Sequence, residues 1–319
     1  MSERSVQLVG GSTYIVSLPK DWAQRHKIGA RSKVLVVETP SGSLVISPVL
    51  KKPRKIEIDV KDDPELAFKL LTAAYLNGYD HIVITSEEKL SEQTRLAVRK
   101  CVRRLMGLEV VRENSTSIEV ELAAEPKVVS IENGLKRMSS LVITTLQLGL
   151  SPKPSLSVDT LNEMDEDADR LNLMYSRRLR QALVEPAELA KLGLDTAHAF
   201  DTLTVFKFLE RCVDHSVAAV KIWLNSNHTK TEAERLSQTI SSTSEILKHA
   251  VDSFISKDAE LATNVSKRRV ELRNIVFSML DSQSVYTSET LLMYHLGRIA
   301  DYAADIAELV LDEGYGFIK

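Results

Sequence analysis

Carboxylates spaced four residues apart are the feature of this chain best suited to chemistry. Asp165/Asp169, Glu210/Asp214 and Asp301/Asp305 each stand one helical turn apart, and Glu163/Asp167 does so less tidily. On a helix such a pair lies on one face, so both carboxylates can converge on a cation, whereas without a counter-charge they repel. Hard oxygen donors suit Mg, Mn or Ca, and carboxylate clusters also hold Zn or Fe, with His215 as a candidate helper. Blander readings stand beside this one. Met164–Arg170 (MDEDADR) also reads as a solvated helix face, and Glu210, Asp214 and Asp301 as internal ion-pair partners of Arg211 or Arg298. Catalysis finds no support: there is no Ser-His-Asp order with a local motif, no C-x-x-C and no H-E-x-x-H, and the seven histidines are scattered. The expectation is a protein that is not an enzyme.

The elements that must position these carboxylates are helices, and one of them occurs twice. Phe206–Val220 (FKFLERCVDHSVAAV) has an echo in Tyr294–Leu309 (YHLGRIADYAADIAEL), matching Leu209 with Leu296, Arg211 with Arg298 and Asp214 with Asp301. An offset of 87 residues, from Arg211 to Arg298, is too long for a solenoid unit and suits a three-helix unit used twice. Apolar periodicity predicts helices over Ser130–Leu148, Ser157–Leu183, Glu188–Asn225, Thr231–Ser256, Asp258–Leu280 and Ser284–Asp312, with polar or proline-bearing joints between them.

The repeated L-[E/G]-R-x-x-D-[H/Y] pattern resembles the signature helix of the PhoU family, the phosphate-uptake regulators, over roughly residues 128–319. That resemblance implies a six-helix bundle of two three-helix repeats (about 128–228 and 229–319), with metal ligands drawn from Asp165, Asp169, Glu210, Asp214, Asp301 and Asp305. The chain departs from the pattern at Gly297, which replaces the glutamate of the second copy, and at Ala218, where an acidic or amide residue is expected. Lys267-Arg268-Arg269 is basic where second-repeat ligands would stand, so the first repeat is the better site.

Composition adds an asymmetry. The 319-residue chain has a net charge of −3, yet its first sixty residues carry ten basic against five acidic side chains, +5, leaving −8 for the remainder. A basic module on an acidic body points to a polyanion at one end only. No apolar run reaches the roughly 18 residues needed to cross a bilayer, and no leader pattern is seen, so a cytoplasmic protein without membrane insertion is expected. Cys101 and Cys212 are expected as reduced thiols. Residues 4–48 read as β-α-β-β, with Gly10-Gly11 as a turn, Pro19 opening a helix over Lys20–Lys27, Gly29 ending it, and a hairpin around Pro40-Ser41-Gly42. Such a unit is too small to bury a core alone, so a homodimer or higher oligomer is expected.

The order G-G-S-T-Y-I-V-S-L-P-K-D-W, K-I-G-A-R-S-K-V and G-S-L-V-I-S-P resembles the AbrB/SpoVT family. It implies a swapped-hairpin dimer (residues 1–50) that binds duplex DNA, here through Arg4, Lys20, Arg25, Lys27 and Arg31; relatives of this type also serve as toxin antidotes and dimerisers. Lys51-Lys52-Pro53-Arg54-Lys55 reads as a solvated joint or a second DNA contact. Residues 55–124 follow as a small α/β spacer of order β-α-β-α-β-β. Its second helix bears Arg95, Arg99, Lys100, Arg103 and Arg104, either a solvated face or a phosphate contact. The whole is an α+β multidomain chain. Together the two resemblances imply an archaeal DNA-binding transcriptional regulator of phosphate uptake with a metal-binding sensor bundle. The alternative is a signalling adaptor that dimerises through its head and regulates a phosphate-transporter ATPase or a kinase by protein contact, without DNA.

Overall fold

The structure is a computed structural model describing residues 3–39, 42–48, 53–124, 130–151, 154–227, 230–281 and 287–315. Lys51, Lys52 and the Pro40-Ser41 part of the hairpin turn lie outside these residues.

The head consists of two antiparallel strand pairs and a short helix. Strand β1 (Gln7–Val9) pairs with β2 (Thr13–Ile15), helix α1 (Lys20–Arg25) follows Pro19, and β3 (Val34–Glu38) pairs with β4 (Leu44–Pro48). Gly10 and Gly11, at φ 63° and 77°, make the first turn, a conformation glycine adopts without steric cost. The exit from α1 differs from expectation. Lys27, not Gly29, takes the left-handed conformation (φ 54°), while the Gly29 N–H donates to Ser32 Oγ. No described residue of the head is fully buried, and Tyr14, Leu44 and Val6 are 75%, 68% and 64% exposed. Apolar surface is thus left in water at high density, and the head builds no closed core of its own.

The spacer is a four-stranded sheet with two helices on one face. Its elements run β5 (Lys55–Asp59), α2 (Pro64–Leu76), β6 (His81–Thr85), α3 (Glu92–Arg104), β7 (Leu108–Glu113) and β8 (Ser117–Leu122), and the strand order is β5-β6-β8-β7. β5 and β6 are parallel around the α2 crossover, and the β7–β8 hairpin is antiparallel. Asp63 caps α2 through the N–H groups of Glu65 and Leu66, and Ser91 caps α3. Alternation puts Ile82, Ile84, Ile118 and Val120 inward against Leu71, Tyr75 and Val98.

The remainder of the described chain is helical: α4 (Ile131–Gly149), α5 (Val158–Val184), α6 (Pro186–Lys191), α7 (Thr196–Leu224), α8 (Lys230–Ser256), α9 (Ala259–Asp281) and α10 (Ser288–Tyr315). The single helix expected over Glu188–Asn225 is two. Gly193 takes φ 68° and Asp195 accepts from the His198 N–H at 2.8 Å, so a glycine exit and a fresh N-cap break the periodicity there. The short α6 lies against β3 and β4 of the head. Helix α7 packs on α4, α5 and α10, and α10 on α7, α8 and α9. Where α7 and α10 cross, the contacts are reciprocal at the 87-residue offset. Phe208 meets Tyr302 at 5.7 Å between ring centroids, and their equivalents His295 and His215 meet at 5.1 Å. Between them the Cys212 thiol approaches the carbonyl of Ile299, its own equivalent position. The sequence repeat is therefore a packing pseudo-symmetry. Both cysteines are buried free thiols, with the Cys101 thiol pushed up to about 11 by burial.

Spacer and bundle are joined by a buried arginine. Arg177 of α5 is 2% exposed and donates to the carbonyls of Tyr75 (2.6 Å) and Tyr79 (3.0 Å) and to Asp80 (2.7 Å). Gly78, at φ 80°, sits so close to Gln181 that an added Cβ would lie 2.7 Å from its amide nitrogen. Truncating Arg177 removes the donor to the Tyr79 carbonyl and to Asp80 Oδ1, while Tyr75 keeps the Gly78 N–H and Asp80 Oδ2 keeps the Arg54 N–H. Arg177→Ala should cost about 2–4 kcal/mol, read as a lower urea midpoint with an unchanged slope, whereas an unchanged midpoint would show that the seam contributes nothing.

Candidate functional site

Helices α5 and α7 pack side by side and bring the first-repeat carboxylates together. Asp165 and Asp169 come from α5, and Glu210 and Asp214 from α7; each of the two aspartates on α5 feels Glu210, and Asp214 lies within hydrogen-bonding reach of Asp165. Glu210 is 9% exposed. Burial pushes Asp165 and Asp169 above the usual carboxylate range. Burial also raises Asp214 to about 6, with the charges of Glu210 and Asp165 adding to it. Asp165, Asp169 and Asp214 are thus held beside Glu210 where the three aspartates ionise less readily than in water.

Cations of the protein partly offset this charge. Arg104, reaching across from α3, pairs with Asp169. Lys207 Nζ lies 2.9 Å from Glu210, and Arg211 reaches Asp214 at 3.1 Å and Glu210 at 3.6 Å. Arg211 does not lie on the buried side of its helix; its side chain is 48% exposed. Among the described residues, no group of three or more His, Cys, Asp or Glu side chains has the geometry to hold a metal ion. A bound cation would require Arg104 and Arg211 to give up their carboxylates. In the second repeat, Asp301 is held by Arg269 at 2.6 Å and Arg298 at 3.0 Å, so the basic Lys267-Arg268-Arg269 stretch supplies a partner where the repeat would call for a ligand. Asp305 is raised by burial and by Glu308 and Asp301.

His215 is turned towards α10, its Nδ1 2.8 Å from Nδ1 of His295. Burial, reinforced by His295, Arg298 and Arg211, drops His215 to about 4, and burial lowers His295 too, so the pair is neutral at pH 7 with one ring donating to the other. Arg104, Lys207 and His295 are not among the site residues to which the sequence points. Their partners lie on other elements or on a helix face that periodicity leaves open. Two arginines of the basic α3 are structural: Arg95 and Arg99 both pair with Glu113, and Arg95 also donates to the carbonyls of Leu90, Asn114 and Ser115.

On the head, Arg4, Lys20, Arg25, Lys27 and Arg31 are all exposed, and none makes an ion pair among the described residues. Lys27 and Arg31 flank the α1–β3 turn in the left-handed conformation, at φ 54° and 66°. Residues 7–55 match the family model described as antidote-toxin recognition MazE, bacterial antitoxin. The head is a MazE/AbrB-like domain. That match covers the strands and helix of the head and ends at Lys55, the first residue of β5. No curated protein matches the chain. Among the described residues, no helix is long and apolar enough to cross a membrane.

Because the folded pKa of Asp214 is above its ordinary 3.8, its contribution to stability is complete below about pH 4 and is lost as pH rises through about 6. In chelator-treated protein at pH 7, Asp214→Asn should therefore raise the melting temperature, and the gain should vanish near pH 4. A lower melting temperature at pH 7 would mean that the Arg211 ion pair outweighs the crowding.

Proposed function

We propose that the chain is a DNA-binding transcriptional regulator of phosphate uptake, with the MazE/AbrB-like head as its DNA-binding dimer and the helical bundle as its sensor. The observation that carries this reading is the head itself. It presents five basic side chains without an ion pair among the described residues and buries no described residue completely on its own, as expected of a module that pairs with a second copy and meets a polyanion. The phosphate part rests on the resemblance of the repeated α7 and α10 motif to the PhoU family. A route for coupling is supported by the packing of β3 and β4 against α6, which joins the two carboxylate-bearing helices. Replacing Arg25 and Lys27 together by alanine should lower the slope of log affinity for duplex DNA against log salt by about 0.9 for each phosphate no longer neutralised. Unchanged affinity and slope would remove these residues from the interface.

A second reading has an observation in its favour. The matching family is described by recognition of a toxin, a protein partner, so the head would dimerise and the bundle would act on a transporter ATPase or kinase by contact. Absence of any salt-dependent duplex binding would favour it.

The bundle, in this proposal, takes a divalent or trivalent cation (Mg, Mn, Ca, Zn or Fe) at Asp165, Asp169, Glu210 and Asp214. A bound cation would supply the counter-charge these carboxylates lack. Arg104 would then lose its hold on Asp169, altering the contact between spacer and bundle. Saturating metal should stabilise the fold by ~2.7 kcal/mol at a hundred times its Kd. The doubly substituted Glu210→Gln, Asp214→Asn protein should lose that gain. Calorimetric titration showing no uptake by wild type would leave the carboxylates as partners of the arginines.

A further inference from the structure

Where α3 and β7 meet α5, a cleft of about 380 Å³ opens beside the carboxylate cluster. Its charged lining is mostly guanidinium: Arg99 and Arg103 from α3 and Arg170 from α5, against the single carboxylate of Glu109. Arg99 is committed to Glu113. Arg103 and Arg170 have no hydrogen bond or ion pair among the described residues, and the Nε of Arg170 is buried without any partner. Arg170 cannot turn to its neighbour Asp169 without competing with Arg104, which already holds it. The last carbonyls of α3 contribute a partial negative charge of about half an electron at this end, too little to offset the unpaired guanidiniums. A buried N–H left unmade costs free energy that a ligand oxygen would recover, and a guanidinium fork matches the oxygens of a phosphoryl group bidentately.

We propose that this cleft binds a phosphate-bearing small molecule, its phosphoryl group held between Arg103 and Arg170 across the spacer–bundle seam. The volume lies within the range of about 300–1,000 Å³ typical of small-ligand pockets, so an organic phosphomonoester fits it better than a bare ion, although both share the recognised group. One arginine comes from each domain. A ligand bridging them therefore ties α3 to α5, one residue along each helix from the Arg104–Asp169 pair. The concave shape favours a small anion over a duplex.

The test is calorimetric titration of the full-length chain, at low ionic strength, with inorganic phosphate, adenosine monophosphate and a short DNA duplex. Wild type is compared with Arg103→Gln and Arg170→Gln, with circular dichroism confirming the fold; Arg103 is exposed, so its variant should fold even if that of Arg170 does not. Saturable binding of phosphate or of the monophosphate, weakened at least about tenfold in either variant, is the expected result. Equal binding of the two would assign the site to the phosphoryl group alone, and binding of the monophosphate only would assign part of it to the organic moiety. No saturable binding of either at millimolar concentration, or binding unchanged in Arg103→Gln, overturns the proposal. So does binding of the duplex alone with loss in the same variants, which would make these arginines a nucleic-acid contact.

Discussion

The seam between the α/β spacer and the helical bundle depends on Arg177. A guanidinium this deeply buried is stable only where fixed acceptors surround it, and two carbonyls at the end of α2 together with Asp80 provide them. With α5 held at that point, Arg104 is brought to Asp169 on the same helix, and Arg103 and Arg170 are left facing one cleft. The carboxylate cluster and the cationic cleft are thus adjacent consequences of one docking geometry.

Charge is unevenly matched along that seam. The first-repeat carboxylates outnumber the protein cations that pair with them, and burial makes the excess felt at Asp214. In the second repeat, built on the same helix pattern, Arg269 and Arg298 clasp Asp301, and Gly297 stands where Glu210 contributes a carboxylate in the first. The same packing solution thus carries a doubly clasped aspartate in the second repeat and a crowded set of four carboxylates in the first. The crossing itself, with Cys212 over Ile299 flanked by Phe208–Tyr302 and His215–His295, stayed reciprocal.

Much of this architecture is legible in the chain itself. Caps such as Asp63, the Gly10-Gly11 turn and the long apolar periodicities are local, and local rules place them. The repeat is legible because Arg211 and Arg298 stand at corresponding positions. Charge on an apolar face is the right kind of signal but points to the wrong residue: Arg211 is half exposed, whereas Arg177, within the run Arg177-Arg178-Leu179-Arg180, is the buried one. Nothing within α5 says which arginine of that run turns inward, because its acceptors lie about a hundred residues earlier. A separation of 65 residues along the chain likewise hides Arg104 from Asp169. The break before α7 is different, a local signal that apolar periodicity overrides although Gly193 and Asp195 carry it in plain view.

A MazE/AbrB-like domain with no fully buried described residue and an uncompensated set of basic side chains is joined through α6 to the helices that carry the carboxylates. A regulator of the kind proposed above occupies DNA in response to phosphate supply. A genome-wide binding profile of the chain in its own cells, at high and at low phosphate, tests it directly. Discrete occupied sites whose occupancy changes between the two conditions are expected; a profile at background level in both would overturn the proposed function.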